Sequence, residues 1–99
     1  MSDIAQVIEA ALDPYIGTPI IVFLQEKRNK TGQLSGTILA VTPSGYTVQG
    51  PHYREWFSHA DLYFGIDTIA GESAEAVAHA IHRAALLPVP AVTYTRWHG

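Results

Sequence analysis

The sequence contains no cysteine, and this absence excludes disulfide bonds and thiolate metal sites. Basic residues are also scarce: six lysines and arginines against nine aspartates and glutamates give a formal net charge of -3. That balance argues against sequence-independent binding of nucleic acid, in which many basic side chains neutralise phosphates. No apolar run approaches the ~20 residues of a membrane span, and the N-terminus lacks the features of a signal peptide. We therefore expect a cytoplasmic protein that does not enter a membrane.

Signatures of the common enzyme classes are missing as well. No serine stands in a G-x-S-x-G motif, no glycine pattern precedes a helix as in a phosphate loop, and no spacing indicates converging carboxylates. Five histidines invite a metal-site hypothesis, and the best set is Glu75, His79 and His82, which share one side of a predicted helix. The simpler interpretation is a solvent-exposed helix face with a weak Glu75–His79 pair. We therefore expect no enzymatic activity, no cofactor and no metal.

What the sequence does contain is typical of one small globular domain. It has 99 residues, of which 47% are hydrophobic, so a buried core is expected. A chain of this length buries only somewhat more than ~60% of its unfolded surface. We therefore expect contacts with other subunits to supply part of the buried surface.

Hydrophobic periodicity divides the chain into helices and strands. Apolar residues at helical spacing predict a helix over residues 3–13, with Asp3 as its N-cap, and a second, alanine-rich helix over residues 73–87. Prolines at 88 and 90 end the second helix and leave an arm, "AVTYTRWHG". Short apolar runs between the helices predict five strands, over residues 19–25, 33–41, 46–49, 54–59 and 62–69.

Five short strands after a helix predict a mainly β fold: a small, strongly bent five-stranded barrel with an N-terminal helix. We assign residues 1–70 to the barrel with that helix, and residues 71–99 to a C-terminal helix and arm of the same domain. Gly36 lies inside the second predicted strand, where it marks a bend or a close backbone approach. The first strand is apolar on both faces, so we expect the barrel interior to cover one face and the N-terminal helix the other.

Two segments stand out as candidate binding surfaces. The connection "EKRNKTG" holds Lys27, Arg28 and Lys30, half of all basic residues, and is either a solvated hairpin tip or a phosphate-contacting finger. The segment "HYREWFSHADLYFG" is the densest aromatic region. Its aromatic side chains either fill the core and a subunit interface, or stack on bases beside Arg54 and His59.

The order of these elements resembles the Sm-like family, which shares its small barrel shape with SH3-like folds, and within it the bacterial Hfq-type proteins most. The resemblance covers residues 3–69. It rests on the short N-terminal helix, the apolar strand "IIVFL", the strand "LSGTI" with its central Gly36, and the aromatic-x-His step "FSHADL".

The resemblance implies a ring in which the fourth and fifth strands pair between subunits. The expected interface residues are Trp56, Phe57, Tyr63 and Phe64, and we add Trp97 of the arm. Hfq-type rings bind uridine-rich RNA with a Lys-His pair, a glutamine followed by an aromatic residue, and a glutamine of the helix. Here His59 matches the histidine and Gln6 the helix glutamine, whereas Ser58 replaces the lysine, and Pro43 and Ser44 replace the glutamine-aromatic pair. The expected RNA-binding set is Gln6, Lys27, Arg28, Lys30, Arg54 and His59.

Three hypotheses of function follow. The first is an Sm-like homo-oligomeric ring that binds RNA through an altered surface. The second is a structural or protein-interaction module, such as a phage particle component or an adaptor, with the second helix and the arm as contacts. The third is an OB-fold that binds single strands, which strand order would distinguish.

Overall fold

The computed structural model describes residues 2–24 and 32–86. Helix α1 is followed by a 3₁₀ turn, four strands, a short helix, a fifth strand and a last helix. The predicted helices and the first four predicted strands agree with these elements to within two residues over the described chain. The bounds are α1 Ser2–Leu12, the 3₁₀ turn Asp13–Tyr15, β1 Pro19–Phe23, β2 Gln33–Val41, β3 Gly45–Gln49, β4 Arg54–Ser58, α2 His59–Tyr63, β5 Thr68–Gly71 and α3 Ala74–Ala85.

The strands form one five-stranded antiparallel sheet in the order β4-β3-β2-β1-β5. The first four strands therefore form a continuous meander, and the chain then crosses to place β5 beside β1. A Greek-key barrel such as the OB-fold does not contain a four-strand meander, so the strand order excludes that alternative.

Strand β2 changes its pairing partner along its length. Its first half pairs with β1, from Gln33 to Thr37, and its second half pairs with β3. Leu39 is the extra residue of a β-bulge, because Ile38 pairs with Val48 while Ala40 already pairs with Thr47. Bulges bend a strand and increase its twist. The bulge at Leu39 therefore bends β2 in the half that pairs with β3.

Gly36 lies at this change of partner, and the space beside it explains why the strand contains a glycine. A Cβ atom at position 36 would clash with the Gln49 carbonyl oxygen and lie 2.8 Å from its carbonyl carbon. The β3 backbone thus approaches β2 more closely than any side chain would allow. Of the two alternatives that the sequence leaves open at Gly36, the structure shows the close backbone approach.

A single hydrophobic core joins the sheet to all three helices. Helix α1 contacts both α2 and α3, while α3 also contacts β5. The core includes residues of every helix and of the first four strands, with Ile69 of β5 packed against it: Ile8, Leu12, Ile20, Val22, Leu34, Ile38, Tyr46, Val48, Phe57, Leu62 and Val77.

Strand β1 is covered less completely than its sequence predicts. Ile20 and Val22 are buried, whereas Ile21 is half-buried and both Pro19 and Phe23 are exposed. Helix α1 packs against α2 and α3, and the second face of β1 is only half-buried. The prediction that both faces of β1 are covered within one chain is therefore wrong.

The predicted fifth strand over residues 62–69 is also wrong in its position. Residues 59–63 form helix α2, and the strand begins only at Thr68. The cause is a local cap, because Ser58 Oγ accepts a hydrogen bond from the Asp61 amide at 3.0 Å and so starts the helix. Ser58 followed by Asp61 is the sequence signal of such a cap, although the apolar run that follows resembles a strand.

Candidate functional site

The candidate site consists of the two edges of the sheet, β4 and β5. Among the described strands, β4 pairs only with β3 and β5 pairs only with β1. β4 and β5 are therefore the two edge strands of the described sheet. Such edges readily accept a strand of another chain unless a protein blocks them.

Trp56 dominates the outer face of β4, where 50% of its surface is exposed. Its ring lies directly over the backbone of Gly45, because a Cβ atom at position 45 would clash with two ring carbons of Trp56. The glycine thus leaves the space that the indole occupies. A half-exposed aromatic side chain is the kind of residue that anchors protein interfaces.

The outer face of the β5 edge carries small side chains. Ala70 pairs with Ile21 and Thr68 pairs with Phe23. Ile21 and Ala70 are both half-buried, and 37% of the Phe23 surface is exposed. A short side chain at the edge beside partly exposed apolar residues leaves room for a bulky side chain from outside.

The other aromatic residues predicted at the interface occupy different environments. Phe57 is buried in the core of the single chain, where its ring lies 5.5 Å from that of Tyr46, so it offers no side-chain surface to a partner. Tyr63 packs partly against the core, and Phe64 is 61% exposed in edge-to-face contact with it, at 5.0 Å between ring centroids. Trp97 lies outside the described residues.

His59 is fully buried, so its position does not fit the prediction that it contacts RNA. Its Nε2 lies 2.8 Å from the carbonyl oxygen of Thr42, and because a carbonyl only accepts hydrogen bonds, Nε2 carries the proton. Its ring stacks on Tyr46 with centroids 6.1 Å apart. The backbone of His59 also donates to Ser44, so the histidine joins the start of α2 to the β2–β3 turn. This role is structural.

The β2–β3 turn that holds His59 is itself fixed by Thr42. Its Oγ1 donates to the Gly45 carbonyl at 3.0 Å and accepts the Gly45 amide at 3.2 Å. Sequence reasoning missed Thr42, because its contact with His59 spans seventeen residues of the chain. The stretch "TPSG" was a signal only for the turn.

The remaining residues of the predicted RNA-binding set do not form one surface in the described chain. Gln6 is exposed on α1 and Arg54 is exposed at the start of β4. Lys27, Arg28 and Lys30 lie outside the described residues. On α1, α3 and the residues next to them, acidic side chains outnumber basic ones. The acidic residues are Glu9, Asp13, Glu72 and Glu75, and the base is Arg83. These charges disfavour a phosphate backbone on the helices.

Among the residues proposed as metal ligands, Glu75 and His79 form only a weak ion pair. Glu75 Oε2 lies 4.0 Å from His79 Nε2, and both side chains are largely exposed. No group of three potential metal ligands exists within residues 2–24 and 32–86. In the same parts of the chain, no helix has the length and apolar character needed to cross a membrane.

Removing the N-cap of α2 provides a test of the local structure at the β4 edge. We expect Ser58→Ala to lower the free energy of unfolding by ~1 kcal/mol, because the Asp61 amide loses its acceptor. Ser58→Asp, which keeps an oxygen acceptor at the cap, should remain within ~0.5 kcal/mol of the original protein. Urea denaturation followed by circular dichroism measures both, and equal stabilities of the two variants would contradict the assignment of the cap.

Comparison with models of known protein families gives no match to this chain, and comparison with curated proteins gives none either.

Proposed function

We propose that the protein is a self-assembling module in which β4 of one copy pairs with β5 of the next and closes a homo-oligomeric ring. The observation that carries this proposal is the strand order, which places two different strands, β4 and β5, at the opposite edges of the described sheet. A pairing between unlike edges is heterologous, so each added copy leaves one free edge of each kind. When the row of subunits closes into a ring, the β4 edge at one end pairs with the β5 edge at the other end.

The side chains at the two edges support this pairing. Trp56 presents a half-exposed indole on β4, and Ala70 is a small side chain on the outer face of β5. When β4 and β5 pair, the indole packs against the small side chain and the half-buried Ile21 beside it. The same contact completes the cover of the outer face of β1, which the single chain leaves unfinished.

The bulge in β2 is a second support, because bulges bend a strand and flat sheets extend instead of closing. The bulge at Leu39 lies close to Gly36, where the β3 backbone approaches β2. The short helix α2 then carries the chain from one edge of the sheet toward the other. These features are those of a small Sm-like barrel, and we propose that fold for the domain.

RNA binding is the second candidate function, and the distribution of basic residues favours it. Residues 25–31 contain three bases and one acid, whereas the described residues contain only two bases, Arg54 and Arg83, against eight acids. In a ring, the basic connection is repeated once per subunit, which multiplies a weak phosphate contact. RNA would bind there and not on the acidic helices.

Native mass, measured before and after nuclease treatment, tests assembly and RNA binding together. We expect one closed oligomer whose protein mass does not change with nuclease. Loss of additional mass and of absorbance at 260 nm on nuclease treatment would support bound RNA. A monomer at all concentrations up to ~100 μM, far above the Kd of a standard interface, would exclude the assembly.

A further inference from the structure

A groove lies between α1 and α3, lined by residues of both helices and of the 3₁₀ turn that follows α1. Its volume is about 540 Å³. Small side chains, Ala10, Ala11 and Ala76, line its apolar part together with the ring of Tyr15. Glu72 and Glu75 lie toward the N-terminal end of α3, and Arg83 lies toward the C-terminal end. The groove therefore has an apolar centre, an acidic end and a basic end.

We propose that the groove is the docking site of the chain's own C-terminal segment, residues 87–99. This segment follows Leu86, the residue after α3, and Arg83 at the basic end of the groove belongs to the last turn of that helix. Its first five residues, "LPVPA", carry no charge, and its only formally charged side chain is Arg96. When the segment runs back along α3, the uncharged residues lie beside Arg83 and Arg96 reaches Glu72 and Glu75.

The length of the segment fits this path. From Arg83 to Glu75 the groove follows eight residues of α3, a rise of ~12 Å. Ten residues, 87–96, span at most ~33 Å when extended. The extended segment is longer than the groove, so enough chain remains to reverse direction after Leu86. The two prolines that follow Leu86 do not fit the interior of a helix.

The aromatic residues of the segment fit the apolar part of the groove. Trp97 follows Arg96, and Tyr94 precedes it by two residues. Leu86, at the end of α3, exposes 71% of its surface, so an exposed apolar side chain lies just before the segment. Alanine side chains leave space for large rings, and an aromatic ring that packs there buries a large area. Charge, length and apolar surface thus all favour the same occupant.

Tryptophan fluorescence of the full chain tests the docking. The protein has two tryptophans, so Trp56→Phe leaves Trp97 as the only emitter. We expect acrylamide to quench Trp97 about threefold less efficiently than in the synthetic peptide of residues 87–99, because the docked ring is shielded from solvent. The paired substitution Glu72→Gln with Glu75→Gln should raise quenching to the level of the peptide. Glu9→Gln with Asp13→Asn removes the same charge outside the groove and should leave quenching unchanged.

A second measurement keeps the test valid if Trp56→Phe does not fold. In the unaltered chain, trypsin should cleave after Arg96 several-fold more slowly than in the Glu72→Gln, Glu75→Gln variant. Peptide-like quenching and equal cleavage rates would overturn the proposal. Shielding of Trp97 that disappears on dilution would also overturn it, because the segment would then occupy the groove of a second copy.

Discussion

Replacing Gly36 with valine should unfold the domain or leave it only marginally stable. The new Cβ would overlap the Gln49 carbonyl oxygen, and the valine methyl groups would press on Val48. Both neighbours belong to β3, whose pairing with β2 fixes their positions, so relief requires separation of the two strands. We expect a loss of at least ~3 kcal/mol in the free energy of unfolding, which is a large part of the total stability of a small domain.

Gly32 provides the matched control for this substitution. It lies just before the same strand, and a Cβ atom there would meet nothing within 4 Å. Gly32→Val should therefore change the free energy of unfolding by no more than ~0.5 kcal/mol. Guanidinium titrations of both variants measure their free energies of unfolding. A Gly36→Val protein as stable as the Gly32→Val protein would show that the close approach of β3 does not exist.

Placing a charge on either sheet edge should dissociate the assembly without unfolding the subunit. Trp56→Glu removes the half-exposed indole of β4 and puts a carboxylate at the centre of the proposed contact. Ala70→Glu does the same on β5, beside Ile21. Loss of a central aromatic anchor costs ~2 kcal/mol or more per interface, so each dissociation constant should rise at least about 30-fold.

Leu39→Glu is the control for the edge variants. Leu39 is 42% exposed, close to the 50% of Trp56, but it lies on the central strand β2. The same carboxylate there should leave the oligomeric mass unchanged. Circular dichroism and thermal unfolding of all three variants confirm that the subunits are folded. An oligomer that withstands both edge substitutions would show that the copies associate through another surface.

The secondary structure could be predicted from the sequence wherever the signal is local. Strand β2 extends over Gln33–Val41 as predicted, because alternating side chains and flanking turn residues determine a strand within a few residues. Helix α2 was missed because two local signals compete there. The run "LYFGIDTI" has the composition of a strand, yet the cap formed by Ser58 commits residues 59–63 to a helix.

The environment of single site residues could not be predicted, because it depends on contacts between distant parts of the chain. The resemblance to a family suggested His59 as a ligand-binding residue, whereas its bond to Thr42 makes it part of the core. The aromatic run likewise gave no indication that Phe57 faces inward while Trp56 faces outward, until strand pairing was known. Strand order is the property that is hardest to predict from the sequence, and the proposed function depends on it.

Mixing the two edge variants tests the central claim most directly, because each variant keeps one unaltered edge. The Trp56→Glu protein keeps β5, and the Ala70→Glu protein keeps β4. Native mass spectrometry of each variant alone should show monomers, and an equimolar mixture should show a 1:1 heterodimer that grows no further. A mixture that remains monomeric, or variants that assemble alone as the original protein does, would contradict pairing between β4 of one copy and β5 of the next.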